Sequence, residues 1–184
     1  MDDISEIGIA LLVLRVVVGL TLAAHGAQKL VGWWNGPGLD GFSGWIGSMG
    51  MRSPRAAATM AAIFEFVGGL LFALGFLTPL AALMIAIVML VAIATVHWSS
   101  GFFNSDGGYE FNLALVAVAI AVAISGPGRY SLDQALELTD PAFRGVEVGL
   151  IVLLLAVVAT FANLALRTRT PGNDTTHTDA TPDV

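Results

Sequence analysis

The chain contains no cysteine. Disulfide exchange, thiolate nucleophiles, iron–sulfur clusters and the usual structural zinc sites are therefore excluded for this chain alone. Any redox work must use a borrowed cofactor or a partner's thiols. Charge is scarce too: 12% of residues are Asp, Glu, Lys or Arg, against ~25% in soluble domains. Lys29 is the sole lysine and the net charge is −6. No basic cluster along the sequence suits nucleic acid or an anionic membrane surface. The opening MDDISE is acidic and lacks the positive start of a secretory signal, so the first helix is expected to be retained.

What the chain has instead is apolar length. Of its 184 residues 56% are hydrophobic, with mean hydropathy +0.81. Soluble proteins hold ~45–50% apolar residues, so the composition is that of an integral membrane protein. The apolar segments follow each other with little between them, which predicts one membrane-embedded unit.

Helical runs are predicted over 7–30, 54–77, 80–98, 109–125 and 148–166. The fold class is therefore all-α and polytopic: four transmembrane helices in a bundle plus a fifth. Ser53-Pro54 and Thr78-Pro79 read as helix starts, and Asp140-Pro141 as the cap of the fifth helix. Ser131 with Gln134 is a capping-box pattern opening a small helix over 132–138. In the Gly-rich segment 31–52, Leu39, Phe42, Trp45, Ile46 and Met49 recur at helical spacing, predicting an amphipathic helix in the membrane interface. The domain division expected is 1–134 for the four-helix unit, 135–167 for a connector and fifth helix, and 168–184 for a disordered tail.

Ionisable groups at membrane depth cost roughly 2.5–3.5 kcal/mol each on insertion scales, so they need a partner or a task. The first helix carries Arg15 within its span and His25, Gln28 and Lys29 at its far end. At ~100° per residue, Lys29 and His25 share a side with Arg15, and Gly19 and Gly26 make that side small enough for another helix to approach. If helices alternate, His25, Gln28, Lys29, His97, Glu110 and Asn112 gather at one membrane face. Arg15 lies roughly 15 Å deeper than His25, and Glu65 roughly 14 Å past Ala56, by ~1.5 Å per residue. Matched depth predicts an Arg15–Glu65 buried ion pair between the first two spans. Such a pair serves helix packing, function or both.

The outer cluster suits proton handling near neutral pH or recognition of an anionic or quinone-like head group. It also suits plain anchoring of helix ends by Trp, His and Lys. His97 and Glu110 are the candidate catalytic pair, exchanging protons. His25, Gln28, Lys29, Trp33 and Asn112 are the candidate ligand-binding residues, with the Trp33–Trp45 stretch as rim or lid. Bis-His haem ligation by His25 and His97 is conceivable, but no attachment motif supports it, and no metal site is indicated.

The stretches LLVLRVVVGLTLAAHGAQKL, EFVGGLLFALGFLTPLAAL, VHWSSGFF and GPGRYSLD, with Glu110 between the last two, resemble the DoxX family of small bacterial membrane proteins. The likeness covers about residues 8–134 in order, leaving the fifth helix and tail outside it. It implies a four-helix fold in the bacterial plasma membrane and similarity to the DoxD subunit of thiosulfate:quinone oxidoreductase. By that resemblance the chain is a membrane subunit of a quinone-linked oxidoreductase or oxidative-stress complex. Quinone is then the implied cofactor, and soluble redox or sulfur-handling proteins the implied partners beside the lipid bilayer. Two other readings stand next to it: a non-enzymatic membrane scaffold, and a small-solute or proton transporter. The positive-inside rule places the face bearing Lys29, Arg52, Arg55, Arg167 and Arg169 in the cytoplasm, with the amino terminus outside.

Overall fold

The computed structural model describes residues 3–140 and 143–167, so Pro141 and the tail 168–184 lie outside the described residues. Its regular elements are helices: α1 (Asp3–Val31), α2 (Gly38–Ser48), α3 (Pro54–Leu74), α4 (Thr78–Ala92), α5 (Glu110–Ser125), α6 (Leu132–Ala135) and α7 (Val146–Ala165). Among the described residues four segments are long and apolar enough to cross a bilayer, Ser5–Val31, Pro54–Leu74, Thr78–Ser100 and Val146–Ala165, and α5 is a shorter apolar helix. The all-α polytopic fold expected from the apolar runs is the fold observed.

At ~1.5 Å per residue α5 covers roughly 24 Å, less than the ~30 Å of a hydrocarbon core. The connector before it is therefore folded rather than extended. Gly108 N–H donates to Phe103 O at 2.9 Å and Glu110 N–H to Phe102 O at 2.9 Å, which satisfies backbone groups near lipid. Trp98 stacks on Tyr109 with centroids 5.5 Å apart, and Phe102 meets Tyr109 edge-on. This is an aromatic belt at a span end.

Close approach of small residues sets the register of α1 against α3. A Cβ added to Gly19 would stand 2.5 Å from Gly69 O, and one on Gly69 would stand 2.5 Å from Gly19 O. Further along, Gly26 lies against the backbone of Phe66. The expected depth match of Arg15 with Glu65 took His25 to be level with Ala56. His25 is instead level with the middle of α3, because α3 begins well beyond the end of α1. Backbone-to-backbone packing over glycine leaves no freedom for the charges to choose another register.

Helix α4 lies at the centre, packed on α3, α5 and α7. Ala81, Ala82, Ile85, Ala86 and Met89 are buried there. The α3–α4 turn needs Gly75, whose φ is 62° and whose missing side chain leaves room for the Arg15 guanidinium. Thr78 is not its own helix cap. The Asp133 carboxylate accepts from Leu77 N–H (2.8 Å), Thr78 N–H (3.0 Å) and the Thr78 hydroxyl (2.7 Å), supplying the cap from a distant loop. Asp133 is held by α6, where Gln134 N–H donates to the Ser131 hydroxyl at 3.1 Å as its sequence pattern indicates. The fifth span starts at Val146 after Gly145 rather than at Asp140. Gly145 N–H donates to Ile124 O at 2.9 Å, tying the start of α7 to the end of α5.

The amphipathic α2 does not present its apolar face to lipid. Phe42 is buried with Ala58 and Ala62 of α3, and Leu30, Leu39 and Ile46 pack around them. Its polar side carries an exposed Asp40–Arg55 ion pair at 2.7 Å. Folded down on α3 in this way, α2 roofs the space between the spans.

Candidate functional site

Under α2 lies a cavity of about 690 Å³ lined by residues of α1, α2, α3, α4, α5 and α7. Its walls are mainly apolar, including Phe42, Met60, Phe64, Val88 and Leu115. Its charged centre is Lys29, whose ammonium donates to both Glu65 carboxylate oxygens, at 2.5 and 2.6 Å. Glu65 is buried while the Lys29 side chain keeps 26% exposure, so the pair faces the cavity from the lysine side. Glu65 lies roughly 16 Å from the start of α3 at ~1.5 Å per residue. The Lys29 ammonium also stands 5.1 Å from the Phe42 ring centroid, a cation–π contact.

The expected Arg15–Glu65 pair is therefore corrected: Glu65 pairs with Lys29. Arg15 is fully buried at the opposite end of α3. There its Nη2 donates to Tyr130 O at 2.6 Å, and it feels the attraction of the Asp133 carboxylate. Its Nε and Nη1 have no hydrogen-bond partner among the described residues. The cause is the glycine register, which carries Arg15 past Glu65 to the α3–α4 turn.

Of the other expected site residues, His25, Lys29, His97 and Asn112 line the cavity. His25 is exposed while lining it, and so is Phe111 of α5. Asn112 is buried, its amide 3.4 Å from Met89 Sδ. The His97 Nδ1–H donates to Gly107 O at 2.7 Å, which leaves Nε2 as the free ring nitrogen.

Glu110, Gln28 and Trp33 are placed elsewhere. The Glu110 carboxylate accepts from Asn104 N–H at 3.0 Å, holding a short turn of the connector. It does not line the cavity and makes no hydrogen bond to His97. The proposed proton exchange between His97 and Glu110 therefore has no direct link, because each side chain is engaged with a different part of that connector. Gln28 does not line the cavity, and its backbone packs under Gly36. Trp33 is exposed, edge-on to Trp34 with centroids 5.6 Å apart. It is a membrane-facing ring, whereas Phe42, Trp45 and Ile46 supply the roof.

Sequence reasoning missed two contributors. At residues Ile93–His97 the end of α4 is a π turn, and Thr95, Val96 and His97 on it line the cavity. Such single wide turns often mark functional positions, and no residue pattern announces one. The second is α7, whose Ala159, Ala162 and Asn163 form a wall. The Asn163 Oδ1 is buried without a protein partner. An asparagine within an otherwise apolar run was the available signal.

Helices of this length and hydropathy, closed round a polar-floored cavity, define a multi-pass α-helical membrane protein. The narrower assignment comes from comparison with known proteins. The DoxX family model matches residues 10–98. Inner membrane protein YphA of Escherichia coli is 30% identical over 131 residues, covering 68% of this chain and 89% of YphA. YqjF, a second inner membrane protein of Escherichia coli, is 29% identical over 139 residues, covering 74% of this chain and 98% of YqjF. The uncharacterized membrane protein Rv3486 of Mycobacterium tuberculosis is 30% identical over 135 residues, covering 67% and 79%. No solved structure shows significant similarity. The chain belongs to the DoxX family and is a multi-pass protein of the bacterial inner membrane.

Proposed function

We propose that the chain is the membrane subunit of a quinone-linked redox system, and that the cavity under α2 binds the quinone-like head group. The observation that carries this reading is the cavity's composition: a mainly apolar chamber containing the Lys29–Glu65 pair, with His25 and Asn112 beside it and Arg52 also in its lining. Binding sites for lipophilic molecules have this form, apolar walls with a few placed polar groups. A quinone ring is flat, apolar on its faces and hydrogen-bond accepting at two opposed carbonyls. Lys29 keeps an ammonium proton beyond the two it gives to Glu65. His25 supplies a second donor one helical turn away, and Phe42 and Phe111 offer ring faces.

The residues present thus fit such a group. When bound, the quinone would supply the electron-accepting chemistry that a chain without cysteine lacks. The protein's part is to bind and orient the ring, and to hold a positive charge where negative charge develops on a carbonyl oxygen. Glu65 holds the Lys29 ammonium in place through both carboxylate oxygens.

A packed layer containing Leu22, Phe72, Ile85 and Val122 lies between the cavity and the opposite membrane face. That layer favours binding over passage of a solute. The test is titration of the purified protein with a short-chain ubiquinone or menaquinone, read by quenching of Trp45 fluorescence in a variant with the other tryptophans replaced. Saturable quenching is expected, with at least a tenfold loss of affinity in the Lys29→Met, Glu65→Gln double variant. Non-saturating quenching equal in both proteins would overturn the reading.

A further inference from the structure

At the end of the bundle opposite the cavity, the chain leaves α5 through Gly126 and Gly128, each with φ 81°, and runs beside the first turns of α1. A groove of about 460 Å³ forms there. Ile7 and Leu11 of α1 give it an apolar side, and Arg129 and Arg144 give it a basic one. The groove is shaped around the two arginines. A Cβ on Gly8 would stand 3.3 Å from Arg129 Cβ, and a Cβ on Gly126 would stand 3.3 Å from Arg144 Cδ. Each side chain is thus seated against a glycine.

Neither guanidinium has a protein partner among the described residues, whereas Arg15, Arg55 and Arg167 are each hydrogen-bonded. Among the described residues no carboxylate lines the groove. The sequence shows no basic cluster because these two residues are far apart along it. Only the fold brings them together.

The position completes the argument. The groove joins the beginning of the span Ser5–Val31, the end of α5 and the approach to α7, so it lies where hydrocarbon meets head groups. Ile7 is 61% exposed and borders the lipid side. Two unneutralised guanidinium groups select a phosphate, the anion that their planar donor forks fit. A zwitterionic lipid would also bring an ammonium, for which the groove holds no carboxylate.

We propose that this groove binds the phosphodiester of an anionic phospholipid, with Arg129 and Arg144 sharing the phosphate and Ile7 and Leu11 lying along the acyl chains. The chemistry, a phosphate oxyanion, is shared with free phosphate. The apolar wall and the interfacial depth assign it to lipid.

The test is native mass spectrometry of the full-length protein in detergent, titrated with phosphatidylglycerol or phosphatidylethanolamine. Phosphatidylglycerol is expected to be retained about tenfold more tightly. At about fivefold per basic residue near a membrane surface, Arg129→Gln with Arg144→Gln should weaken it about 25-fold and abolish the preference. Because neither side chain makes an internal bond, the melting temperature should not change. Should the double variant nevertheless fail to fold, the lipid that co-purifies with the unmodified protein decides instead: enrichment in phosphatidylglycerol over the bulk membrane supports the proposal, and bulk composition overturns it. Equal retention of both lipids, or undiminished binding in the double variant, overturns it. So does displacement of the lipid by millimolar inorganic phosphate, which would make this a site for a soluble anion.

Discussion

Removing the Glu65 carboxylate while leaving Lys29 in place strands an ammonium at membrane depth, whereas removing both charges leaves a neutral floor. Breaking one partner of a buried pair costs ~3–5 kcal/mol, and replacing both by apolar groups is often neutral. Lys29 keeps 26% of its side-chain surface, so Glu65→Gln alone should destabilise by about 3 kcal/mol, the bottom of that range. Adding Lys29→Met should restore most of the loss, as chemical denaturation in detergent would show. If Lys29→Met rescues nothing while Arg15→Met does, the pairing assigned here is wrong. The residues themselves were legible beforehand, since a charge inside an apolar run is conspicuous. Their partners were not. Arg15 and Lys29 lie on one side of one helix, and only the Gly19–Gly69 and Gly26–Phe66 contacts decide which of them reaches Glu65.

Among the elements, α7 holds the cavity shut from the side. Its last turn is fastened to the segment between α2 and α3. The Arg167 Nε and Nη2 donate to Met49 O at 3.1 and 2.6 Å, and Arg52 N–H donates to Leu166 O at 3.4 Å. Hydrogen bonds from a charged donor are worth ~1.5–3 kcal/mol. Arg167→Met should therefore raise amide exchange at residues 49–53 roughly tenfold or more, with little change in the middle of α4. Uniform exchange across the chain in that variant would instead mean that α7 is fastened elsewhere.

Element types and most boundaries follow from the apolar runs, the Ser53-Pro54 start and the Ser131–Gln134 cap. Three features do not. The cap on α4 comes from Asp133, a contact between segments far apart in sequence. The π turn before Trp98 has no composition of its own. The family resemblance ends near residue 134, yet α7 packs on α4 and α5 and contributes Ala159, Ala162 and Asn163 to the cavity wall.

On the scale of the whole molecule, the two ends of the bundle are built for different contacts. One end is roofed by α2 over a chamber with a Lys–Glu floor. The other is sealed by residues 126–138, which bury Arg15 and cap α4, with Arg129 of that segment and Arg144 beyond it left outward. Lipophilic head groups should enter the chamber and not merely the surrounding lipid. The most direct measurement is photolabelling of the protein in membranes with an azido-quinone, followed by peptide mapping. Label is expected on residues 42–49, 60–65 and 111–115, and an excess of unmodified quinone should suppress it. Label spread over the exposed positions of α7, such as Leu150, Leu154 and Phe161, and indifferent to that excess, would contradict the account.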